Sequence, residues 1–276
     1  LTLAYPATSF WKKLSSLWRV WGITSQLEKE GIELFHGLSN ELPLNIHKSR
    51  IKSIVTIHDL IFLRYPQYYQ SIDRKIYTYK FRKACENADK IIAISECTKR
   101  DIIRYFNIPD DKIEVVYQGC DVSFTHPVTE EKKEEVRKKY QLPDHYILNV
   151  GSIEERKNIL AAVQALPMLP QHIHIVIVGR RTGYTEKVEQ FIKDNGLGER
   201  VHIISNVPFN DLPAFYQSAE IFVYPSRFEG FGIPIIEALY SGTPVVAATG
   251  SCLEEAGGPD SIYVNPDDIT CLLYTS

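Results

Sequence analysis

Short runs of β-branched and aromatic residues alternate along the chain with stretches of helical period. Four such runs predict strands in the first half, at residues 32–37, 51–59, 90–95 and 113–119. Helices are predicted between them at 73–88 and 95–106, the second with Ser95 as its N-cap. Strand–helix alternation of this kind predicts a parallel sheet that is covered on both faces.

A charged stretch interrupts this alternation. Residues 126–143 run between Pro127 and Pro143 and predict one short helix. The alternation then resumes, with strands predicted at 146–151, 173–179, 201–205, 220–226, 243–249 and 261–265, and helices at 158–166, 184–195, 210–218 and 234–241. We therefore predict two α/β domains, residues 1–125 and 144–276, joined by a linker at 126–143.

Composition narrows the class of protein. Apolar residues make up 44% of the 276 positions and charged residues 24%, as in soluble globular proteins. The net charge of -3 gives no reason to expect a nucleic acid partner. The cysteines form no Cys-x-x-Cys pair, which argues against a zinc site or a disulfide framework and predicts a cytoplasmic protein. These cysteines are Cys85, Cys97, Cys120, Cys252 and Cys271.

Both ends of the sequence look cut. The chain starts without Met inside a strand-like run at 1–5, and residues 271–276 follow without a helical pattern. We expect the chain to be a fragment, and the sequence leaves open whether residues 271–276 are native.

The stretch YPSRFEGFGIPIIEALYSGTPVV, residues 224–246, places Glu229 and Glu237 around a pair of glycines. Gly230 and Gly232 allow the backbone to approach a ligand closely, and the amides of a helix start attract an anion such as a diphosphate. Because carboxylates repel phosphate, we expect the two glutamates to accept hydrogen bonds from sugar hydroxyls on either side of it. The alternative is that one is a solvated loop residue and the other complements the helix dipole.

A second motif supplies cations. The stretch NVGSIEERKNI puts Arg156 and Lys157 just before a predicted helix, where the helix dipole does not favour positive charge. A fixed cation here would stabilise the charge that develops on a departing phosphate, although a solvated loop pair is the alternative. The chain has no Asp-x-Asp pair, so we expect no metal ion and no other cofactor.

Polar residues also end the strands predicted in the first half. TIHDL places His58 and Asp59 at the end of one strand, and FHGLSN places His36 at the end of the strand before it. Ser95 heads a third such turn, first as a helix cap and only second as a site residue. Since the carboxyl ends of parallel strands share one edge, these residues are candidates for an acceptor side, with a structural role as the alternative for His36.

The stretch SRFEGFGIPIIEAL resembles the glutamate–seven–glutamate signature of the retaining nucleotide-sugar glycosyltransferases of family 4, the glycosyl transferases group 1. GTPVVAATGSCLEEAGG continues the similarity, with Glu254 where the family more often has proline. The resemblance extends over nearly the whole chain. It implies the GT-B architecture, in which two Rossmann-like domains with parallel sheets face a central cleft. It also implies that the N-terminal strand with its glycine-rich loop, and the C-terminal helix, are absent.

The resemblance implies roles for the residues of the first motif. Glu229 is expected to contact the transferred sugar, and Glu237 the ribose hydroxyls of the donor. The amides of Phe231 and Gly232 are expected to hold the phosphates.

It also implies roles outside that motif. Lys157 is expected to bind the β-phosphate of the donor, and His58 to lie near the reaction centre. Many members carry arginine directly after the Val-Gly pair, where this chain has Ser152. That second cation is therefore either missing or replaced by Arg156.

By resemblance we expect transfer of a mannose- or glucose-type hexose from a GDP- or UDP-sugar. The acceptor would be a saccharide or lipid-linked hydroxyl in surface polysaccharide or glycolipid assembly. The resemblance also implies retention, through front-side attack with the leaving phosphate as base, and the sequence identifies no carboxylate nucleophile for a double displacement. The alternatives are a nucleotide-sugar epimerase, a non-catalytic binding module and an NAD-dependent oxidoreductase, for which Ile235 replaces the third glycine of the dinucleotide motif.

The stretch FWKKLSSLWRVW, residues 10–21, combines three tryptophans with basic residues. One interpretation is an amphipathic helix that rests on the inner face of an anionic membrane. The other is a helix whose tryptophan face packs on the first sheet.

Overall fold

A computed structural model of the chain describes residues 5–6 and 9–268. The chain divides into two units, Leu1–Tyr117 and Gln118–Ser276. Most of the strand predicted at 1–5, and all of residues 271–276 with Cys271, lie outside the described residues. The predicted domain limits at 125 and 144 stay a prediction. Phe124 packs edge-to-face on Phe209 and Tyr216, so the segment before residue 125 contributes to the core of the second unit.

The first unit contains a four-stranded parallel sheet with strand order β1-β2-β3-β4. The strands are β1 Leu34–Gly37, β2 Lys52–Ile57, β3 Lys90–Ala93 and β4 Ile113–Val115. Along β2 the side chains of Ser53, Val55 and Ile57 are buried, as expected for a strand with one face in the core. All four strands predicted in this half are confirmed, each shorter than its apolar run.

The helices of the first unit are α1 Ser9–Lys13, α2 Ser15–Leu17, α3 Ile23–Lys29, α4 Ile61–Arg64, α5 Ser71–Asn87 and α6 Glu96–Phe106. The helices predicted at 73–88 and 95–106 correspond to α5 and α6. The Ser95 cap is confirmed, because its hydroxyl accepts a hydrogen bond from the Thr98 amide at 2.9 Å.

The tryptophan-rich segment is not one regular helix. Its backbone leaves helical geometry at Leu14 and forms a single π-helical turn over Trp18–Gly22. Trp18 is buried, whereas Trp21 is half exposed, so the tryptophans do not share one buried face. Membrane contact of this segment stays a prediction. No helix in the described part of the chain is both long and apolar enough to cross a membrane.

The second unit contains a six-stranded sheet with strand order β10-β9-β8-β5-β6-β7. The strands, all paired in parallel, are β5 Tyr146–Val150, β6 His174–Val178, β7 Val201–Ile204, β8 Ile221–Tyr224, β9 Val245–Ala248 and β10 Ile262–Val264. The helices are α7 Glu130–Tyr140, α8 Ile159–Ala165, α9 Thr185–Asp194, α10 Leu212–Gln217, α11 Ile233–Tyr240 and α12 Leu253–Gly257.

Burial explains why these strands read as continuous apolar runs. All four residues of β9 are buried, and so are the last four of β6. A parallel sheet covered by helices on both faces requires such sequences. The predicted fold class, α/β with two parallel sheets, is therefore confirmed.

Candidate functional site

The strand order of the second unit reverses around β5. This strand lies between β6 and β8, so consecutive connections leave it toward opposite sides of the sheet. The loops that follow β5 and β8 therefore start side by side at the carboxyl edge. A backbone hydrogen bond from Arg227 to the carbonyl of Arg156, 2.9 Å long, joins them. Open α/β sheets bind ligands in the crevice that forms at such a point.

The loop after β5 places two cations at this crevice. Gly151 has φ +152°, and the backbone passes so close to Gly179 that a Cβ there would lie 1.8 Å from the Gly151 carbonyl oxygen. A 3₁₀ turn over Glu155–Lys157 then carries both Arg156 and Lys157. Asn158, with φ 56°, turns the chain into α8. The cations thus stand just before a helix, as predicted.

The two cations converge on Glu229, which follows β8. The Glu229 Oε2 atom lies 2.9 Å from a guanidinium nitrogen of Arg156, and Oε1 lies 3.3 Å from Lys157 Nζ. The Ser226 hydroxyl donates to Oε1 at 2.8 Å. Only 13% of the Glu229 side chain and 16% of the Lys157 side chain are exposed. The structure therefore brings three predicted site residues into direct contact.

The electrostatics of this cluster follow from its composition. Burial alone would raise the pKa of Glu229, but the charges of Lys157 and Arg156 and the Ser226 hydrogen bond hold that pKa below its ordinary value. Glu154 also belongs to this cluster, because its Oε2 atom lies 3.6 Å from a guanidinium nitrogen of Arg156, so the two cations face two carboxylates. An anion with several oxygens that takes the place of these carboxylates can pair with both cations at the carboxyl edge of the sheet.

The second part of the motif begins a helix. Gly232 has φ +125°, a conformation that disfavours any side chain, and it caps α11. Pro234 lies in the first turn, where a missing amide proton costs no helical hydrogen bond. The Cys252 thiol donates toward the carbonyls of Glu229 and Phe231, at 2.9 and 3.0 Å, and so ties the Gly230 loop to α12. Phosphate binding by the amides of Phe231 and Gly232 stays a prediction.

Glu237 lies farther along α11 in a different environment. The Tyr216 hydroxyl donates to its Oε2 atom at 2.7 Å. Burial raises the pKa of Glu237, and the Tyr216 hydrogen bond offsets part of that rise. Burial and the nearby Glu237 charge also raise the pKa of the Cys120 thiol. The rings of Tyr216, Phe222 and Tyr224 pack in succession and connect this position to the Glu229 cluster.

A cavity of about 300 Å³ opens beside the cation loop. It is lined by Gly151, Ser152, Gly179, Arg180, Asn206 and Val207, among others. Ser152 donates at 2.6 Å to Glu154, and the Arg180 side chain at the rim is 79% exposed. Most of the lining of this cavity lies outside the motifs that the sequence singles out. The sequence feature that indicates the cavity is a Val-Gly pair at the end of both β5 and β6. Glycine has no side chain, so these two positions leave space at the carboxyl edge of the sheet.

Four further predicted site residues belong to the first unit. His36 Nε2 lies 2.8 Å from the Thr56 hydroxyl, and His58 Nε2 lies 2.8 Å from the Leu38 carbonyl oxygen. The Asp59 carboxylate accepts from the amide of Ile61 at the start of α4, and Ser95 has no exposed surface. These contacts orient the side chains, and the proposed roles of the four residues at an acceptor side stay predictions.

Within residues 5–6 and 9–268, no group of three or more His, Cys, Asp or Glu side chains is arranged to hold a metal ion.

Two family models match the chain. The model described as "Glycosyltransferase Family 4" matches residues 3–124, and the one described as "Glycosyl transferases group 1" matches residues 130–260. The chain is 31% identical over 245 residues to O-antigen chain mannosyltransferase B of Escherichia coli, covering 87% of this chain and 63% of the relative. It is 29% identical over 214 residues to O-antigen chain mannosyltransferase RfbU of Salmonella typhimurium, covering 78% and 57%. The chain thus spans less than two thirds of either relative's length.

Solved structures agree on the fold. The crystal structure of Anabaena Alr3699/HepE in complex with UDP and glucose matches with a TM-score of 0.77 at 18% identity, covering 94% of this chain and 72% of that one. Sucrose-phosphate synthase from Thermosynechococcus elongatus matches with a TM-score of 0.76 at 23% identity, covering 98% and 69%. These similarities show the fold, which is the predicted GT-B class.

Proposed function

The chain belongs to the family 4 glycosyltransferases, and from this we propose that it transfers a hexose from a nucleoside diphosphate sugar to an acceptor hydroxyl. The observation that carries the proposal is the convergence of Lys157 and Arg156 on Glu229 at the point where the strand order reverses. A diphosphate needs cations, and a sugar beside it needs hydrogen-bond acceptors. This cluster offers both within one crevice.

Each charged residue has a distinct part in the proposed reaction. Lys157 and Arg156 bind the diphosphate and stabilise the negative charge that grows on it as the glycosidic bond breaks. When the phosphates bind, they take over the cations that now pair with Glu229. The Glu229 carboxylate is then available to accept a hydrogen bond from the transferred sugar.

The nucleoside of the donor is proposed to bind at Glu237 and in the cavity beside the cation loop. Glu237 accepts hydrogen bonds from the ribose hydroxyls, and the cavity beside Gly151 and Gly179 receives the base. Both features lie in the second unit, which also contains the cation loop. The amides of Phe231 and Gly232 complete the proposed phosphate contacts.

Retention is proposed to proceed by front-side attack without a metal ion. A double displacement would need a nucleophilic carboxylate at the anomeric carbon. Glu229 is poorly suited to that part, because two cations lower its pKa and hence its basicity. The departing phosphate can instead accept the proton of the acceptor hydroxyl. Lys157 and Arg156 then stabilise the negative charge of that phosphate.

The relatives favour one donor. Both O-antigen enzymes described above are named mannosyltransferases. We therefore propose mannose from a GDP donor first and a glucose-type sugar from UDP second, with a saccharide or lipid-linked acceptor in surface polysaccharide assembly. A cytoplasmic location, where such donors occur, is part of the same proposal.

The proposed reaction is tested with a panel of GDP- and UDP-sugars. Nucleotide release from each donor is measured in the presence of saccharide acceptors. The assay uses the protein with any sequence that precedes or follows residues 1–276 in its gene. We expect one donor to be turned over clearly above the others. Release of no nucleotide from any donor would contradict the proposed function.

A lysine variant tests the assignment of the cation. Lys157→Ala should lower kcat by roughly 10² to 10³, because a fixed charge at the leaving group is lost. Lys138→Ala, on the exposed face of α7, is the matched control and should keep wild-type turnover. If Lys157→Ala turns over donor as fast as the control, the leaving-group role is wrong.

A further inference from the structure

One buried group at the site has no part in the mechanism so far. Tyr224 is the last residue of β8, and its side chain is almost completely buried. Its hydroxyl reaches the middle of the cation cluster. The inference below rests on the proposed function, because it concerns how that reaction's charged residues are held.

The Tyr224 hydroxyl bridges two groups of opposite charge. Lys157 Nζ donates to it at 3.0 Å, and it lies 3.1 Å from Glu229 Oε1. Burial and the adjacent Glu229 charge raise the pKa of Tyr224, so the phenol keeps its single proton. That proton can point only to the carboxylate, since the ammonium group has no acceptor. The hydrogen bonds therefore run in one direction, from Lys157 through Tyr224 to Glu229.

The ring restrains the lysine as well. Lys157 Nζ lies 5.4 Å from the centroid of the Tyr224 ring, within the range of a cation–π contact. The ring itself stacks on Phe222, with centroids 5.8 Å apart, and is anchored in a central strand of the sheet. A flexible lysine side chain is thus held at two points by a rigid group.

These contacts matter most when Glu229 and Lys157 separate. In the present arrangement Lys157 pairs directly with Glu229 at 3.3 Å. When phosphate oxygens replace Glu229 as partners of Lys157, the phenol still contacts both residues. It can keep the ammonium group beside the leaving oxygen and the carboxylate beside the sugar.

We propose that Tyr224 is a positioning residue, whose hydroxyl fixes Lys157 and Glu229 relative to each other while the diphosphate leaves. Its effect should fall on the transition state, in which the phosphate charge is largest, more than on donor binding. Tyr224 itself need not contact the donor.

Tyr224→Phe removes the hydroxyl and keeps the ring. We expect kcat to fall roughly tenfold to a hundredfold, as for loss of a hydrogen bond to charged groups, while the KM for donor changes much less. Tyr146→Phe is the matched control, because Tyr146 is also a fully buried strand residue and its hydroxyl donates at 2.8 Å to the Phe215 carbonyl, away from the cluster. If Tyr224 had only a structural role, Tyr224→Phe and Tyr146→Phe would lower the thermal midpoint by the same amount and would have the same kcat.

A second measurement does not depend on turnover. Labelling by acetic anhydride, read by mass spectrometry, reports how accessible and how basic the Lys157 amine is. Lys157 should be acetylated faster in Tyr224→Phe than in the wild type or in Tyr146→Phe, with Lys138 labelled equally in all three.

The outcomes separate the two proposals. If the wild type transfers sugar but Tyr224→Phe matches Tyr146→Phe in kcat, the positioning role is wrong and the proposed function stands. If no donor is turned over, the proposed function fails, and unchanged Lys157 labelling would then reject the positioning role independently. Faster labelling together with the kcat loss supports both.

Discussion

At the scale of single residues, the two glutamates of the motif differ in what surrounds them. Glu229 faces two cations, which lower its pKa, whereas burial raises the pKa of Glu237 and Tyr216 is its hydrogen-bond donor. As pH falls, Glu237 therefore takes up its proton before Glu229 does. A protonated Glu237 accepts hydrogen bonds from hydroxyls poorly, so donor binding should weaken while the cation cluster is still intact.

This difference gives a prediction for Tyr216→Phe. The lost hydrogen bond had favoured the ionised form of Glu237, so its pKa should rise further. Affinity for a nucleoside diphosphate, measured by calorimetry across pH 4 to 8, should then begin to fall at a higher pH than in the wild type. Tyr146→Phe should leave the pH profile in place. Superimposable profiles for all three proteins would show that Glu237 does not bind the nucleotide.

Charged residues at this scale were predictable, and their neighbours were not. Arg156, Lys157 and Glu229 stood out because charge next to strand ends and glycines has few structural explanations. Tyr224 and Tyr216 did not, because an aromatic residue in an apolar strand or helix reads as core. The sequence also cannot give the contact of Glu229 with Lys157, which lies 72 positions earlier along the chain.

At the scale of elements, α7 is held to the start of α10 by the buried carboxylate of Asp211. Asp211 accepts from Lys139 at 2.7 Å and from the Tyr140 hydroxyl at 2.8 Å, and Lys132 lies 3.0 Å away. Burial would raise the pKa of Asp211, but these three partners lower it to about 2. The charged stretch that was predicted as a linker thus contains a helix fixed at its polar face.

The variant Asp211→Asn tests how much this contact stabilises the protein. A folded-state pKa below the unfolded value stabilises the protein above pH of about 4, and the contribution disappears as pH falls toward 2. Because the lysine ends are partly in solvent, we expect the variant to lose about 1–2 kcal/mol of unfolding free energy at pH 7.

Urea unfolding at several pH values measures the effect. The difference between wild type and Asp211→Asn should shrink as pH falls from 5 to 2. Asp144→Asn, whose carboxylate is 80% exposed beside Arg137, is the matched control and should change stability little at any pH. A difference that does not depend on pH would mean that the asparagine acts through packing alone.

Most elements were predictable from periodicity, with errors at their ends. Apolar runs continue past the last paired residue of a strand: Ile94, after β3, is still buried, whereas Val116 and Tyr117, after β4, are exposed.

The exception is the tryptophan-rich segment, where the backbone is irregular at Leu14 and forms a π turn at Trp18–Gly22. Gly22 packs there against the Trp11 and Trp18 side chains. Hydrophobic period alone does not contain that information.

At the scale of the whole molecule, the contacts of the proposed donor site lie in one of the two units. Arg156, Lys157, Glu229 and Glu237, with their tyrosine partners, all follow Gln118. The second unit also has its own buried core, which includes Val163, Ile177 and Val223 among others. Family membership agrees with the transferase interpretation, not with the epimerase or oxidoreductase alternatives.

Residues 118–276, produced alone, should therefore bind a nucleoside diphosphate. We expect a Kd within about threefold of that of the whole chain, since the same side chains surround the phosphates. Calorimetry on both proteins gives the comparison, and Lys157→Ala in residues 118–276 should abolish the heat of binding. A folded unit with no affinity for nucleotide would show that residues outside it are required.

The reversal of strand order around β5 has a further consequence for how related proteins can diverge. Everything between the Lys157 loop and β8, including β6, β7 and their helices, leaves the sheet centre and returns to it. Insertions in the loops of that excursion that lie away from the Gly179 cavity and from Tyr216 lengthen the path without moving either end. Homologues can therefore gain length there, whereas a single added residue between Tyr224 and Glu229 would displace the carboxylate from both of its cations.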